Sequence, residues 1–169
     1  MQTAQEPGIP IKKLRRFLDG HGLGTGPLDV SRIGDGRSNL TYLIRRSDQC
    51  VVLRSPPPPP VPPGVHDVMR EVRVLSRLRG VPAPKILASS MDDGVIGVPF
   101  YVMEYIDGWV LTDDLPAAFA PADERRRIGE EVVDALVAFY AVDVQAVGLG
   151  DFGRAEGFVE RQLARSVRL

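Results

Sequence analysis

A run of prolines constrains the fold of this chain more than any other feature of its sequence. Residues 55–64 read SPPPPPVPPG, and each proline lacks a backbone N–H and holds φ at about −65°. A segment of this composition cannot form the interior of a helix or a strand, and it is typical of an extended, polyproline-like loop. The regular elements therefore have to form on either side of a stiff connection.

Before this loop, the pattern predicts a helix and a β-hairpin. Apolar residues recur at helical spacing within 9–19, and glycines follow them. Residues 40–45 alternate between apolar and polar side chains, and the β-rich run 50–53 comes after a polar turn. The hairpin is entered through the glycine-containing string IGDGRSN at 33–39.

After the loop, the pattern predicts a helix followed by two strands. Asp67 is suited to cap a helix that stops at Gly80. β-like runs at 85–89 and 98–105 then flank a turn at 91–94.

Two further helices are predicted toward the end of the sequence. Apolar residues recur every three or four positions from Pro121, and a last helix begins near Ala155. If the rest of their domain is missing, these helices would lack packing partners, and exposed faces at Phe139, Phe158 and Leu163 would favour self-association.

The composition argues against several classes of protein. Lys+Arg of 21 against Asp+Glu of 22 gives a net charge of −1, so nothing attracts the molecule to nucleic acid. The single cysteine, Cys50, cannot form an intramolecular disulfide, and no Cys/His cluster suits zinc. Neither an export signal nor a membrane-spanning segment is encoded, and we expect a cytoplasmic protein.

The order of these features resembles the nucleotide-binding lobe of protein-kinase-like folds. A glycine-rich β-turn-β is followed by a basic residue ending the next strand, a helix with a glutamate, and a strand running into a hinge. At finer grain the sequence resembles the aminoglycoside phosphotransferase superfamily, in particular the branch of bacterial phosphotransferases and kinase-like domains fused to acyl-CoA dehydrogenases. The resemblance covers about residues 30–165, and it rests on the strings IGDGRSNLTYLIRR (33–46), VVLRSPP (51–57), HDVMREVRVLSRL (66–78), PFYVMEYIDG (99–108) and VGLGDFGRAEGFVERQL (147–163).

The resemblance implies an α+β fold: a protein-kinase-like N-lobe, with an antiparallel sheet and one helix, plus the first helices of an incomplete C-lobe. It divides the chain into an N-terminal helix and lead-in (1–30), a nucleotide-binding lobe (31–107) and a hinge with the first helices of the second lobe (108–169).

The glycine-rich turn is the first candidate site. Gly34 and Gly36 would let the backbone approach phosphates closely, because glycine tolerates positive φ and has no Cβ. The resemblance implies that Ser38 and Asn39 add side-chain donors to a β-phosphate. Asn39 stands where the GxGxxG pattern has its third glycine, and a plain hairpin turn is the alternative.

The second candidate is a charged pair. Kinase-like folds place a lysine on the strand after the glycine-rich turn, and here that position holds Arg54. Its 17-residue spacing to Glu71 makes an ion pair between strand and helix natural, and arginine can grip a phosphate with two donors. The alternatives are a solvated Glu71 and, for Arg54 to Pro60, an RxxPxxP ligand of SH3-type domains.

The third candidate is the hinge. By resemblance, Met103 would be the gatekeeper, and backbone groups from Glu104 to Ile106 would hydrogen-bond adenine. A methionine in the core of a strand is a compatible interpretation.

Asp151-Phe152-Gly153 looks like the metal-binding DFG motif of kinases, but such a motif follows a catalytic loop. Neither His21 nor His66 begins such a loop. In the resembling family a similar string precedes it, so we predict a structural turn.

The implied function is an ATP-dependent, or GTP-dependent, transfer of phosphate to a small hydroxylated acceptor, with Mg²⁺ in the complete enzyme. These 169 residues contain no catalytic Asp, metal-binding Asn or second metal-binding Asp downstream of the hinge, so we assign no catalytic or metal residues. We therefore expect the N-terminal part of a phosphotransferase that pairs with a missing C-lobe. The alternative is a noncatalytic module that binds nucleotide or a protein partner.

Overall fold

The computed structural model describes residues 8–34, 38–60, 67–111, 115–153 and 156–166. The described residues form one five-stranded sheet and five α-helices. They are α1 (Ile11–Gly20), β1 (Asp29–Arg32), β2 (Leu40–Arg45), β3 (Cys50–Ser55), α2 (Val68–Leu75), β4 (Ile86–Ser90), α3 (Asp93–Ile96), β5 (Phe100–Glu104), α4 (Ala122–Tyr140) and α5 (Phe158–Ser166).

The sheet is antiparallel throughout, with strand order β1-β2-β3-β5-β4. The predicted β2–β3 hairpin is present, and its register pairs Arg45 with Cys50 and Leu40 with Ser55. The α+β fold class is therefore confirmed. Strand β1 was missed as an element, because Asp29–Arg32 has only four residues and one strongly apolar side chain among them.

The main core lies on one face of the sheet. Side chains of β2, β3 and β5 that share this face pack against α1 and α3, and the fully buried members include Leu14, Leu18, Ile44, Leu53 and Phe100. Successive residues of a strand point to opposite faces, so the strand residues that alternate with these core residues face α2. That second face carries Leu43, Val52 and Tyr101, which are also buried.

Helix α2 begins where the sequence predicts. The side chain of Asp67 accepts a hydrogen bond from the Arg70 backbone N–H and caps the helix. The predicted end at Gly80 is wrong, because the helix ends at Leu75 and the chain then tightens into a turn in which Arg77 N donates to Val74 O.

The predicted turn at 91–94 is also different. Asp92 caps a single helical turn, α3, by accepting from the Gly94 N–H. The predicted helix after Pro121 is present as α4, with Pro121 at its N-cap, and the last helix begins at Phe158. Residues 61–66, which include the end of the proline loop, lie outside the described residues, and positions 56–60 are in neither helix nor strand.

Apolar side chains of α4 and α5 are exposed as predicted. Phe139, Phe158 and Leu163 keep 52%, 58% and 61% of their surface accessible. Self-association through these faces stays a prediction. No helix within the described ranges is long and apolar enough to cross a membrane.

Candidate functional site

Glu71 of α2 is the centre of a hydrogen-bonded cluster on the sheet. Its carboxylate accepts from Arg54 Nε of β3 at 2.8 Å, from the Tyr101 hydroxyl of β5 at 2.7 Å and from Asn39 Nδ2 at 2.6 Å. The Arg54–Glu71 contact predicted from the sequence is therefore present. One carboxylate joins the helix to two strands and to the end of the glycine-rich turn.

Arg54 is held so that part of its guanidinium stays available. Nε donates to Glu71, Nη1 donates to Thr41 Oγ1 at 3.0 Å, and Nη2 makes a longer contact of 3.5 Å to Glu71 Oε1. Arginine carries five N–H donors, so one N–H on each terminal nitrogen has no acceptor among the described residues. The Arg54 and Glu71 side chains are 32% and 31% exposed, so a ligand can reach this pair.

Tyr101 and Thr41 are site residues that the sequence did not predict. Both lie directly opposite Arg54, because the register pairs Thr41 with Arg54 across β2–β3 and Arg54 with Tyr101 across β3–β5. Tyr101 lies two residues before Met103 on β5, and this spacing was a signal that it shares a face with the predicted gatekeeper. Burial, and then the hydrogen bond to Glu71, raise the pKa of Tyr101 well above its usual range, so its hydroxyl remains a donor.

The four candidate residues of the glycine-rich turn differ in conformation and exposure. Gly34 has a φ of +76°, a conformation that favours glycine, while Gly36 lies outside the described residues. Ser38 is exposed and lines a cleft beside α2. Asn39 is only 7% exposed, and its amide N–H is directed at Glu71. A donor role of Ser38 and Asn39 toward phosphate stays a prediction.

The predicted hinge residues follow along β5. Met103 pairs with Val52 in the β3–β5 register and is half-buried on the face that also carries Arg54. The Glu104 N–H donates to Lys85 O at 2.9 Å, and its carboxylate accepts from the Lys85 N–H. Ile106 lies beyond the strand and is exposed.

A cleft of about 550 Å³ lies beside this cluster. It is lined by residues of α2, by Ser38 and Asn39, and by Phe152 of the Asp151-Phe152-Gly153 string. That string forms a turn, and Asp151 makes an ion pair with Arg73. The hydrogen bond from Arg73 lowers the pKa of Asp151, which is therefore ionised at neutral pH. The described part of the chain holds no group of three or more His, Cys, Asp or Glu side chains suited to a metal ion.

Comparison with known proteins decides the family. The model of the phosphotransferase enzyme family matches residues 29–168, which is most of the sequence. The chain belongs to this family. The match includes every strand of the sheet, the Arg54–Glu71 pair and the Asp151 turn, and it confirms the family predicted from the sequence.

Several relatives contain this region within much longer proteins. Acyl-CoA dehydrogenase family member 10 of Mus musculus is 36% identical over 92% of this chain and 15% of its own length. Acyl-CoA dehydrogenase family member 11 of Homo sapiens is 32% identical over 90% of this chain and 20% of its own length. The chain thus spans a fifth or less of these relatives.

Two crystal structures share the fold. A protein of Ralstonia eutropha JMP134, assigned as an aminoglycoside phosphotransferase, superposes with a TM-score of 0.73 at 34% identity, over 93% of this chain and 46% of that one. A thermostable mutant of the aminoglycoside phosphotransferase APH(4)-Ia, solved in a ternary complex with ADP and hygromycin B, gives 0.50 at 15% identity, over 78% and 40%. The second likeness concerns the fold alone.

Proposed function

We propose that this region binds the purine nucleotide of an ATP-dependent phosphotransferase, and that the complete protein transfers phosphate to a hydroxyl group of a small molecule. The proposal rests on how the Arg54 guanidinium is hydrogen-bonded. Glu71 and Thr41 orient its guanidinium, while one N–H on each terminal nitrogen has no acceptor within the described part of the chain. A positioned cation with unused donors is suited to a phosphate.

The surroundings of Arg54 fit the rest of a nucleotide. Val52 and Met103 form an apolar pair on the sheet face that also carries Arg54. Val52 is two residues before Arg54, so this pair lies about 7 Å from Arg54 along the strand. An aromatic base could lie against Met103, the half-buried member of that pair, while its phosphates reach the guanidinium. Backbone groups between Glu104 and Ile106 would then hydrogen-bond the base. The acceptor would be selected by the second lobe of the complete protein.

The side chains around Arg54 suit a phosphate better than they suit Mg²⁺. Among the described residues, Glu71 is the carboxylate that contacts Arg54, and it already accepts hydrogen bonds from three donors. A metal ion held by Glu71 does not fit that arrangement, and the described residues contain no cluster of three or more possible ligands. We propose that Mg²⁺ arrives with the nucleotide and is bound by residues of the complete enzyme.

Isothermal titration of the purified 169-residue chain with ATP, ADP and adenosine tests the proposal. We expect ATP to bind with a Kd between roughly 1 μM and 1 mM, the usual range for enzyme substrates, and more tightly than adenosine. ATP binding no tighter than adenosine binding would remove the phosphate role of Arg54. Absence of any binding would contradict the proposed function of the region.

The isolated chain is expected to show no phosphate transfer. General-base and metal-binding groups downstream of the hinge are needed for the chemistry, and these 169 residues contain no such set. ATP consumption should equal a buffer control with any hydroxylated acceptor, in protein free of host kinases. Turnover above that control would show that the chain holds catalytic groups that we did not identify. The noncatalytic alternative is tested by the same assay on the longer protein, where continued inactivity despite nucleotide binding would favour it.

Asp151→Ala is expected to change the affinity for Mg²⁺–ATP by less than about twofold. The carboxylate is 75% exposed and bound to Arg73, and an exposed ion pair contributes about 0–1 kcal/mol. Titration of the variant with Mg²⁺–ATP measures the effect. A tenfold loss for Mg²⁺–ATP without a matching loss for metal-free ATP, at an unchanged circular dichroism spectrum, would mean that Asp151 does bind the metal.

A further inference from the structure

Three arginines near α2 contact one downstream segment, residues 147–152, which we name the clamp segment. Arg70 Nη2 donates to Phe152 O at 2.9 Å, Arg73 pairs with Asp151, and Arg77 Nη1 donates to Val147 O at 3.0 Å. Arg70 and Arg73 are three residues apart on α2 and therefore lie on one side of the helix, whereas Arg77 belongs to the turn that follows Leu75. The clamp segment therefore lies along one side of α2 and along this turn.

Phe152 makes the most extensive of these contacts. The Arg70 guanidinium lies over its ring at 3.8 Å from the centroid, and that of Arg73 lies at 5.8 Å. The Arg70 guanidinium thus contacts the Phe152 ring with its flat face and donates a hydrogen bond to the Phe152 carbonyl from its edge. Gly148 lets Arg77 reach the carbonyl of Val147. Its φ is +70°, and a Cβ at this position would collide with the Arg77 guanidinium.

Helix α2 packs on β4 and β5 along one side. Of its eight residues, only Val68 is fully buried. Each residue advances by about 100° around a helix, so Arg70 and Arg73 lie on the side opposite to Val68. Glu71 reaches the sheet on the other flank, where it binds Arg54. The clamp segment and the sheet hold the helix from opposite sides.

We propose that the clamp segment sets the position of α2, and that Phe152 is a positioning residue for the nucleotide site. Phe152 acts through Arg70 on α2, Glu71 moves with the helix, and Glu71 orients the Arg54 guanidinium. The effect on ATP rests on the function proposed above, whereas the effect on α2 does not.

Amide hydrogen exchange, resolved by NMR on the full 169-residue chain, tests the effect on α2. Phe152→Leu removes the aromatic face, and we expect the amides of 72–75 to exchange about fivefold faster, in line with the usual strength of an arginine–aromatic contact. Arg70→Gln should give the same change from the helix side. Phe152→Tyr keeps the ring and should stay within twofold of the wild type.

Two controls separate this effect from general destabilisation. Phe158→Leu makes the same substitution at an exposed position of α5, and it should leave 72–75 within twofold. Amides of the β2–β3 hairpin should not change in any variant. The proposal is overturned if Phe152→Leu and Arg70→Gln leave the exchange of 72–75 unchanged, or if the hairpin accelerates equally.

Titration with ATP and adenosine then tests the effect on the nucleotide site. Phe152→Leu should weaken ATP three- to fivefold and leave adenosine unchanged, with Phe152→Tyr restoring ATP affinity. Faster exchange of 72–75 with unaltered ATP affinity would overturn the positioning role. If the wild type binds no ATP, the proposed function fails, and the exchange measurement still decides whether the clamp segment holds α2.

Discussion

Arg54→Ala is expected to weaken ATP binding by roughly 10- to 100-fold and to change adenosine binding by less than about twofold. A hydrogen bond to a charged group contributes about 1.5–3 kcal/mol, and only the phosphates of ATP would contact the guanidinium. Adenosine would use the Val52–Met103 face and the hinge, which this substitution leaves in place. Calorimetry with both ligands measures the ratio of the two losses.

Arg45→Ala is the matched control for this experiment. Arg45 belongs to the neighbouring strand, pairs with Asp29 at the surface and is about half exposed. It lies four residues from Thr41, which is opposite Arg54, so it is about 14 Å away along the strand. This variant loses the same charge from the same sheet, and its affinity for ATP should stay within twofold of the wild type. Equal losses of ATP and adenosine in Arg54→Ala would instead assign Arg54 to folding.

Glu71→Ala is expected to lower the free energy of unfolding by roughly 2–3 kcal/mol, or about 4–12 °C in Tm for a domain of this size. The substitution leaves the Asn39 amide and the Tyr101 hydroxyl buried without their acceptor. An orphaned buried donor costs about 1–3 kcal/mol, and the partial exposure of Arg54 keeps the total below that of a fully buried ion pair. Chemical denaturation followed by circular dichroism measures the change.

Glu130→Ala and Tyr101→Phe calibrate that result. Glu130 is an exposed carboxylate on α4, so its removal should alter stability by less than about 0.5 kcal/mol. Tyr101→Phe removes one donor while Glu71 keeps Arg54 and Asn39, and we expect a loss of about 1 kcal/mol. A Glu71→Ala variant as stable as Glu130→Ala would show that the hydrogen bonds of Glu71 contribute nothing to the fold.

Short-range features of this protein were predictable because their causes are local. Asp67 caps α2 because its carboxylate reaches an N–H three residues on. The β2–β3 hairpin follows from alternation on both sides of a polar turn. The predicted length of α2 was wrong because apolar spacing continues to Leu78, and spacing alone does not show where backbone hydrogen bonding changes to a turn.

The sequence by itself determined which strand carries Arg54, which helix carries Glu71, and that a stiff proline loop joins them. Their family resemblance and the 17-residue spacing were enough to predict their contact. Only the tertiary structure decided which residues complete the cluster. Tyr101 comes 47 residues after Arg54 and reaches Glu71 because β5 pairs beside β3 in one particular register. A shift of β5 by one residue would turn the Tyr101 side chain to the other face. Phe152 reaches α2 because a segment about 80 residues downstream returns to it. Such long-range packing depends on the whole fold, whereas caps and alternation depend on neighbours along the chain.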